Sequence, residues 1–303
     1  MEPVFLAYSI VFLALAVGTY TDIKTREVPD WINYGLIFSG VAVWLLYSLI
    51  YSDWDGLFNS LLGFWAFFVF ALLMFYTGQW GGGDSKMIMG IGVLLGLDMS
   101  FVLSLFGFYE GNAPFPFILS FLINTLLVGA AYGILWSAFL AVKNIKRFMA
   151  EAAKIVKNQN IIMLKRIFFS AAALLALSLF FAGPSMRIMV LGIIALIFAT
   201  FYMWVFVKSV ENSSMYKKIS PDKLTEGDWI AEEVKHKGRT ICGPKDLGIE
   251  KSQIALLKRY KVKKVLVKEG IPFVPSFFIA FIISLYLKYS VPETIGNILF
   301  LFI

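Results

Sequence analysis

Apolar residues in this chain come in long runs separated by short polar stretches. A run of about 20 such residues, wound as a helix, matches the hydrocarbon thickness of a bilayer. Runs at residues 3–20, 31–51, 57–77, 87–108, 115–142, 167–183, 188–207 and 272–289 predict an all-α polytopic membrane protein of about eight transmembrane helices. The first run lacks the basic start and small-residue cleavage pattern of a removable signal peptide, so it is read as a retained helix. Residues 143–166 combine good helix formers with alternating charge, as in AEAAKIVK, and predict a surface helix or an extension of the fifth span. Residues 208–270 are polar enough to fold in water. Strand-like DWIAEEV and KKVLVKEG flank a helix-like SQIALLKRY there, which predicts a small α+β insert on the cytosolic side. The chain thus divides into an N-terminal transmembrane core (1–142), a basic connector (143–166), additional transmembrane helices (167–207), the insert (208–270), and a last helix with its tail (271–303). Residues 291–303 are expected to form a short interfacial segment.

Composition agrees with this pattern. Hydrophobic residues make up 59% and charged residues 16% of the 303, more apolar than the roughly 45–50% of soluble domains. The net charge of +7 could suggest nucleic acid, but its distribution points to topology. With the N-terminus outside, 25 of the 27 Lys and Arg residues fall on inner segments, and only Arg187 and Lys288 lie outside, where Asp53, Asp55 and Glu110 also fall. The positive-inside rule selects this orientation, so membrane lipids are expected partners and nucleic acid is not. The single cysteine, Cys242, excludes an intramolecular disulfide and a Cys-rich zinc site. Neither Cys242 nor His236 has a ligand cluster nearby in sequence, so no metal or cofactor is expected.

Ionisable groups at membrane depth are costly, and each needs a partner, an aqueous pocket or a task. They concentrate in two segments: 20–30, containing Asp22, Lys24, Arg26, Glu27 and Asp30, and 78–86, containing Asp84 and Lys86. Two spans separate these segments, and an even number of crossings returns the chain to the same face. Asp22 and Asp84 can therefore meet whichever way the protein inserts. Close carboxylates can share one proton, the charged member activating water while the neutral member polarises a carbonyl, which is aspartic-peptidase chemistry. Gly81, Gly82 and Gly83 leave room before Asp84 for a neighbouring helix or a substrate backbone. Simple capping or solvation of each aspartate, or an ion-coupled transporter or scaffold using embedded carboxylates, is equally compatible with spacing alone.

At these residues the sequence resembles the type IV prepilin peptidase family, particularly its archaeal prepilin and preflagellin (prearchaellin) peptidases. Gly81, Gly83 and Asp84 reproduce the GxGD motif, Lys86 follows it, and Asp22 occupies the earlier catalytic position after the first span. The segment Ile271-Pro272-Phe273-Val274-Pro275 before the last span, with KLTEGDWIAEE and GPKDLG upstream, looks like the archaeal C-terminal region. The resemblance implies a membrane aspartic endopeptidase, with Asp22 and Asp84 catalytic. It would remove short basic class III signal peptides from pilin-like or archaellin-like precursors at the cytosolic face. It implies no metal, and one cysteine cannot build the four-cysteine site of bacterial relatives, so methyl transfer is not expected.

Other residues have narrower expectations. Glu27 and Asp30 could attract a basic signal peptide, or Asp30 could cap the second span. Lys86 could tune the carboxylate pair, bind a headgroup phosphate or serve topology. Pro272, Phe273 and Pro275 could guide the substrate backbone or merely start a helix. Trp80 is expected in an interfacial belt, and Asp98 at the outer rim of a continuous fourth span. Because Asp84 begins a helix and Asp22 ends one, helix dipoles predict that Asp22 more often carries the shared proton.

Overall fold

The computed structural model describes residues 3–109, 113–181, 183–236, 238–246 and 248–287. Helices run in the order α1 (Pro3–Thr25), α2 (Asp30–Tyr51), α3 (Asp55–Tyr76), α4 (Gly82–Leu95), α5 (Met99–Leu105), α6 (Phe117–Lys143), α7 (Ile145–Lys157), α8 (Gln159–Ser178), α9 (Pro184–Val210), α10 (Lys251–Arg259) and α11 (Val274–Leu287). Strands are β1 (Tyr216–Ile219), β2 (Trp229–Ile230), β3 (Val234–His236), β4 (Arg239–Cys242) and β5 (Val265–Lys268). The protein is a polytopic, mainly helical membrane protein. Among the described residues six helices are long and apolar enough to cross a bilayer, or seven if the bent pair α4 and α5 is counted as one span. The last expected span shows 14 described helical residues in α11; the expected interfacial tail at 291–303, and the end of that span, lie outside the described residues, as does Glu110.

The chain forms two compact units, Met1–Ile134 with Gly270–Ile303, and Leu135–Glu269. In the first, α4 is the central element, packed by α2, α3 and α1. Glycine makes that approach possible. A Cβ on Gly92 would meet the Phe67 Cβ at 2.9 Å, and one on Gly63 would collide with the Gly92 carbonyl. A Cβ on Gly90 would lie 2.6 Å from the Leu36 Cβ. Backbones that touch gain dispersion contacts, which drive helix association where lipid removes the hydrophobic incentive.

The fourth span is not the continuous helix expected. It breaks after Leu95, and α5 leaves at 100° to α4. Gly96 takes φ +65°, a left-handed conformation that costs glycine little. The exposed helix ends are satisfied locally, as a non-aqueous setting requires. Ser60 Oγ donates to the Val93 carbonyl at 2.7 Å and Trp44 Nε1 to that of Leu94 at 3.2 Å. Asn59 takes the Leu97 and Met99 amides on its carbonyl and side-chain oxygens. Asp98, expected on a continuous helix, instead caps α5, its carboxylate accepting from the Ser100 amide at 2.8 Å.

In the second unit, of the two forms expected after the fifth span, a surface helix or an extension, the chain has a separate amphipathic helix, α7, and the sixth span begins at Gln159, eight residues earlier than expected. Phe148 of α7 packs edge-on to Phe206 of α9. The insert has the α+β character expected, with an antiparallel sheet of order β1-β5-β2 and a β3-β4 hairpin. Strands β1 and β4 went unread because each is four residues and carries Lys or Arg. Leu224, Ile230, Cys242, Leu257, Val265 and Val267 form its core. Glu211 joins this sheet to the end of α9, accepting from Tyr216 at 2.8 Å and pairing with Lys208 and Lys268. Burial, reinforced by that bond to Glu211, pushes the Tyr216 phenol up to about 12.

Candidate active site

Asp22 extends a buried stripe on α1, Ala7, Val11, Leu15, Gly18 and Asp22, spaced three or four residues apart as one helical face demands. It therefore lies inside the last turn of the helix rather than beyond it, and only 5% of its surface is exposed. Arg26, at φ +63°, ends the helix by donating its N–H to the Asp22 carbonyl at 2.9 Å. One turn before Asp22, three helices converge. A Cβ on Gly18 would meet Met87 Cε at 2.6 Å and Val274 Cγ1 at 3.3 Å. The Val274 N–H donates to Asp22 Oδ2 at 2.9 Å, so a free amide at the start of α11 holds the carboxylate.

Asp84 is the third residue of α4. Its Oδ2 accepts from the Gly81 N–H at 3.3 Å, the return half of a capping arrangement. As a residue Asp84 is half-buried, whereas Asp22 is buried. Asp22 and Asp84 lie close enough to interact electrostatically. Both carboxylates thus accept from an amide at a helix N-terminus, so the helix-end argument that gave the proton to Asp22 no longer separates them.

The three glycines differ. A Cβ on Gly83 would press against Val28 at 3.3 Å, whereas Gly81 and Gly82 meet nothing closer than 3.7 Å. Gly83 lets the turn after α1 lie on the first turn of α4, and Gly81 supplies the amide for Asp84. Lys86 pairs with Asp30 at 2.7 Å and lies 5.6 Å from the Tyr34 ring centre. Asp30 is the first residue of α2 and makes no cap, since the start of that helix carries no side-chain capping bond. Glu27 is exposed on the same turn.

Pro272 and Pro275 are buried and Phe273 is half-buried. Phe273 packs on Trp80 and Phe277, with ring centres 5.6 and 5.4 Å away. Trp80 is not in an interfacial belt: it is 4% exposed, inside an aromatic cluster with Phe70, Phe273 and Phe277. The PFVP segment therefore delivers a backbone amide to the site. Sequence reasoning missed Val274 because a backbone donor leaves no side-chain signal, and Arg26 because its role depends on a left-handed turn.

Among the described residues, no group of three or more His, Cys, Asp or Glu side chains could hold a metal ion. Cys242 is buried in the insert, and burial together with Asp246 pushes its thiol up to about 11. His236 stacks on Tyr260 with ring centres 4.0 Å apart.

Residues 9–134, which contain both aspartates and the glycine run, match the type IV leader peptidase family. The chain is 36% identical over 88 residues to a preflagellin peptidase of Methanococcus maripaludis, covering 29% of this chain and 38% of the relative. It is 33% identical over 90 residues to that of Methanococcus voltae, covering 30% and 38%. The preflagellin peptidase of Methanocaldococcus jannaschii is 33% identical over 88 residues, 27% and 35% of the two chains. The matched stretch spans little more than a third of these relatives' own length. No solved structure matches the chain.

Proposed function

We propose that this protein is an aspartic endopeptidase that removes short basic leader peptides from preflagellin-like or prepilin-like precursors, with Asp22 and Asp84 as its catalytic pair at the cytosolic membrane face. The observation that carries the reading is the contact of α1 with α4 beside two carboxylates 62 residues apart in sequence: a Cβ on Gly18, four residues before Asp22, would meet Met87, three residues after Asp84, at 2.6 Å. The family of residues 9–134 and the preflagellin peptidase relatives support the substrate class. The crowding of Lys and Arg into segments on one side supports the cytosolic face.

In the singly protonated pair, the charged carboxylate takes a proton from water as its oxygen attacks the scissile carbonyl carbon, and the neutral carboxyl gives its proton to the carbonyl oxygen. The resulting gem-diol collapses as its C–N bond breaks: the leaving nitrogen takes the proton held by the pair, and one diol hydroxyl returns its proton to the pair as the C=O bond re-forms. One proton is again shared, and the products are an acid and an amine. Gly81 and Val274 amides hold the two carboxylates so that little reorganisation is needed. Glu27, exposed beside the site, is a candidate contact for a basic leader, while Asp30 is already engaged by Lys86.

Co-expression with an epitope-tagged precursor tests the reading. The native chain is expected to cleave it, and Asp22→Asn and Asp84→Asn each to lose at least about 100-fold in rate, since Asn can neither hold the shared proton nor act as base. Undiminished processing by either folded variant would reject the aspartic mechanism and favour an ion-binding or scaffold role for the pair.

A further inference from the structure

Helix α7 is joined to α6 by Asn144 alone and to α8 by Asn158 alone, and α6 and α8 are each long and apolar enough to cross a bilayer. Its 13 residues are therefore tied to a membrane surface at both ends, over a length of about 20 Å. Packing sets its depth. Phe148 meets Phe206 edge-on with ring centres 5.7 Å apart, and Phe206 lies two residues before Lys208, the first charge after the apolar stretch of α9. Asn144 Nδ2 donates to Ser214 Oγ at 3.0 Å, in the helical turn Glu211–Met215 that follows α9. The helix is thus fixed where a span passes from hydrocarbon to headgroups.

Three faces of α7 have different surroundings. Phe148, Glu151 and Ile155, spaced by three and four, are half-buried. Ile145, Met149 and Val156 form a second row and are 50, 60 and 42% exposed. Lys146, Arg147, Lys154 and Lys157 are all exposed, and the only acid on the helix is Glu151, paired with Lys154 at 2.5 Å. At the bend from α6, Lys143, Asn144, Ile145, Lys146 and Arg147 line an open depression of about 490 Å³, most of whose lining is cationic. Topology alone asks for Lys and Arg beside a span, but not for an uncovered apolar row next to them. Water penalises that row. Acyl chains accept it, and phosphates at the same depth accept the cations, which is the environment of an interfacial helix.

We propose that α7 lies in the plane of the bilayer interface and binds lipids with acidic phosphate headgroups. Ile145, Met149 and Val156 enter the acyl region, and the cationic depression at the bend seats a headgroup. Each Lys or Arg near an anionic surface favours it by about fivefold, so several together select acidic lipid over zwitterionic. This binding does not depend on the peptidase reading.

The test uses the full chain carrying Cys242→Ala and Met149→Cys, labelled with bimane at position 149 and held in lipid nanodiscs. Brominated acyl chains, which quench bimane on contact, are supplied at equal mole fraction on phosphatidylglycerol or on phosphatidylcholine. Both lipids are expected to quench, the acidic one at least about threefold more strongly. That preference should fall to about one when Lys146→Gln, Arg147→Gln, Lys154→Gln and Lys157→Gln are combined, and should shrink in about 0.5 M salt with no charge removed. The salt arm stays readable if the neutralised variant does not insert. Quenching by neither lipid would put the row in water or under a protein, a second copy included, and overturn the proposal. Equal quenching by the two lipids with all four charges present, or a preference that neither salt nor neutralisation lowers, would overturn the acidic-lipid binding.

Discussion

Helices α4 and α8 are both apolar, yet the protein uses them in opposite ways. Eight of the 14 residues of α4 are buried, whereas in the 20 residues of α8 only Ala172 is. The helix that carries Asp84 is held by glycine contacts and by hydrogen bonds to its last carbonyls. The other presents Phe169, Leu174 and Leu177 outward, the face a bilayer takes. Hydropathy does not distinguish them, because lipid and protein interior are equally good destinations for an apolar side chain. Position of a carboxylate needs the first arrangement, since a helix free to shift by one ångström would unmake a proton-sharing pair.

The comparison is most easily broken at the chemistry. Asp84→Asn should lower the cleavage rate at least about 100-fold, as set out above, while Arg187→Gln on α9 should leave it unchanged within about twofold. Next comes packing. Phe277 is fully buried and Leu174 is 69% exposed, so Phe277→Ala should cost about 3 kcal/mol or more and Leu174→Ala less than about 0.5 kcal/mol, read from reversible unfolding in mixed micelles. Equal losses would mean that the second unit buries α8 against another surface. Glycines give a finer contrast. Gly92→Ala must push the Gly63 backbone away and should cost about 1–3 kcal/mol, whereas Gly192 has open space within 4 Å, and Gly192→Ala should stabilise by up to about 1 kcal/mol through helix propensity. The smallest effect is on Cys242. Its thiol, pushed up to about 11, stays protonated through neutral pH, so alkylation at pH 8 should be slow in the folded chain and speed up only on unfolding of the insert. Fast labelling of the native protein would show that the insert core opens.

The sequence by itself determined how many apolar segments there are, and that an even number of crossings separates Asp22 from Asp84. It also carried the α+β character of the insert, through alternation in VKKVLVK and the helical period of SQIALLKRY. These features survive because bilayer thickness and backbone hydrogen bonding act on each segment alone. Tertiary structure decided the rest. It chose the break at Gly96, where Asn59 from another helix offers two oxygens. It gave Asp30 to Lys86 in place of a helix end, drew Trp80 out of the expected belt into an aromatic cluster, and set the Val274 amide on Asp22. Each of these joins residues from separate segments, and the energy that selects them is short-range packing and directional hydrogen bonding, which exist only once the segments have met.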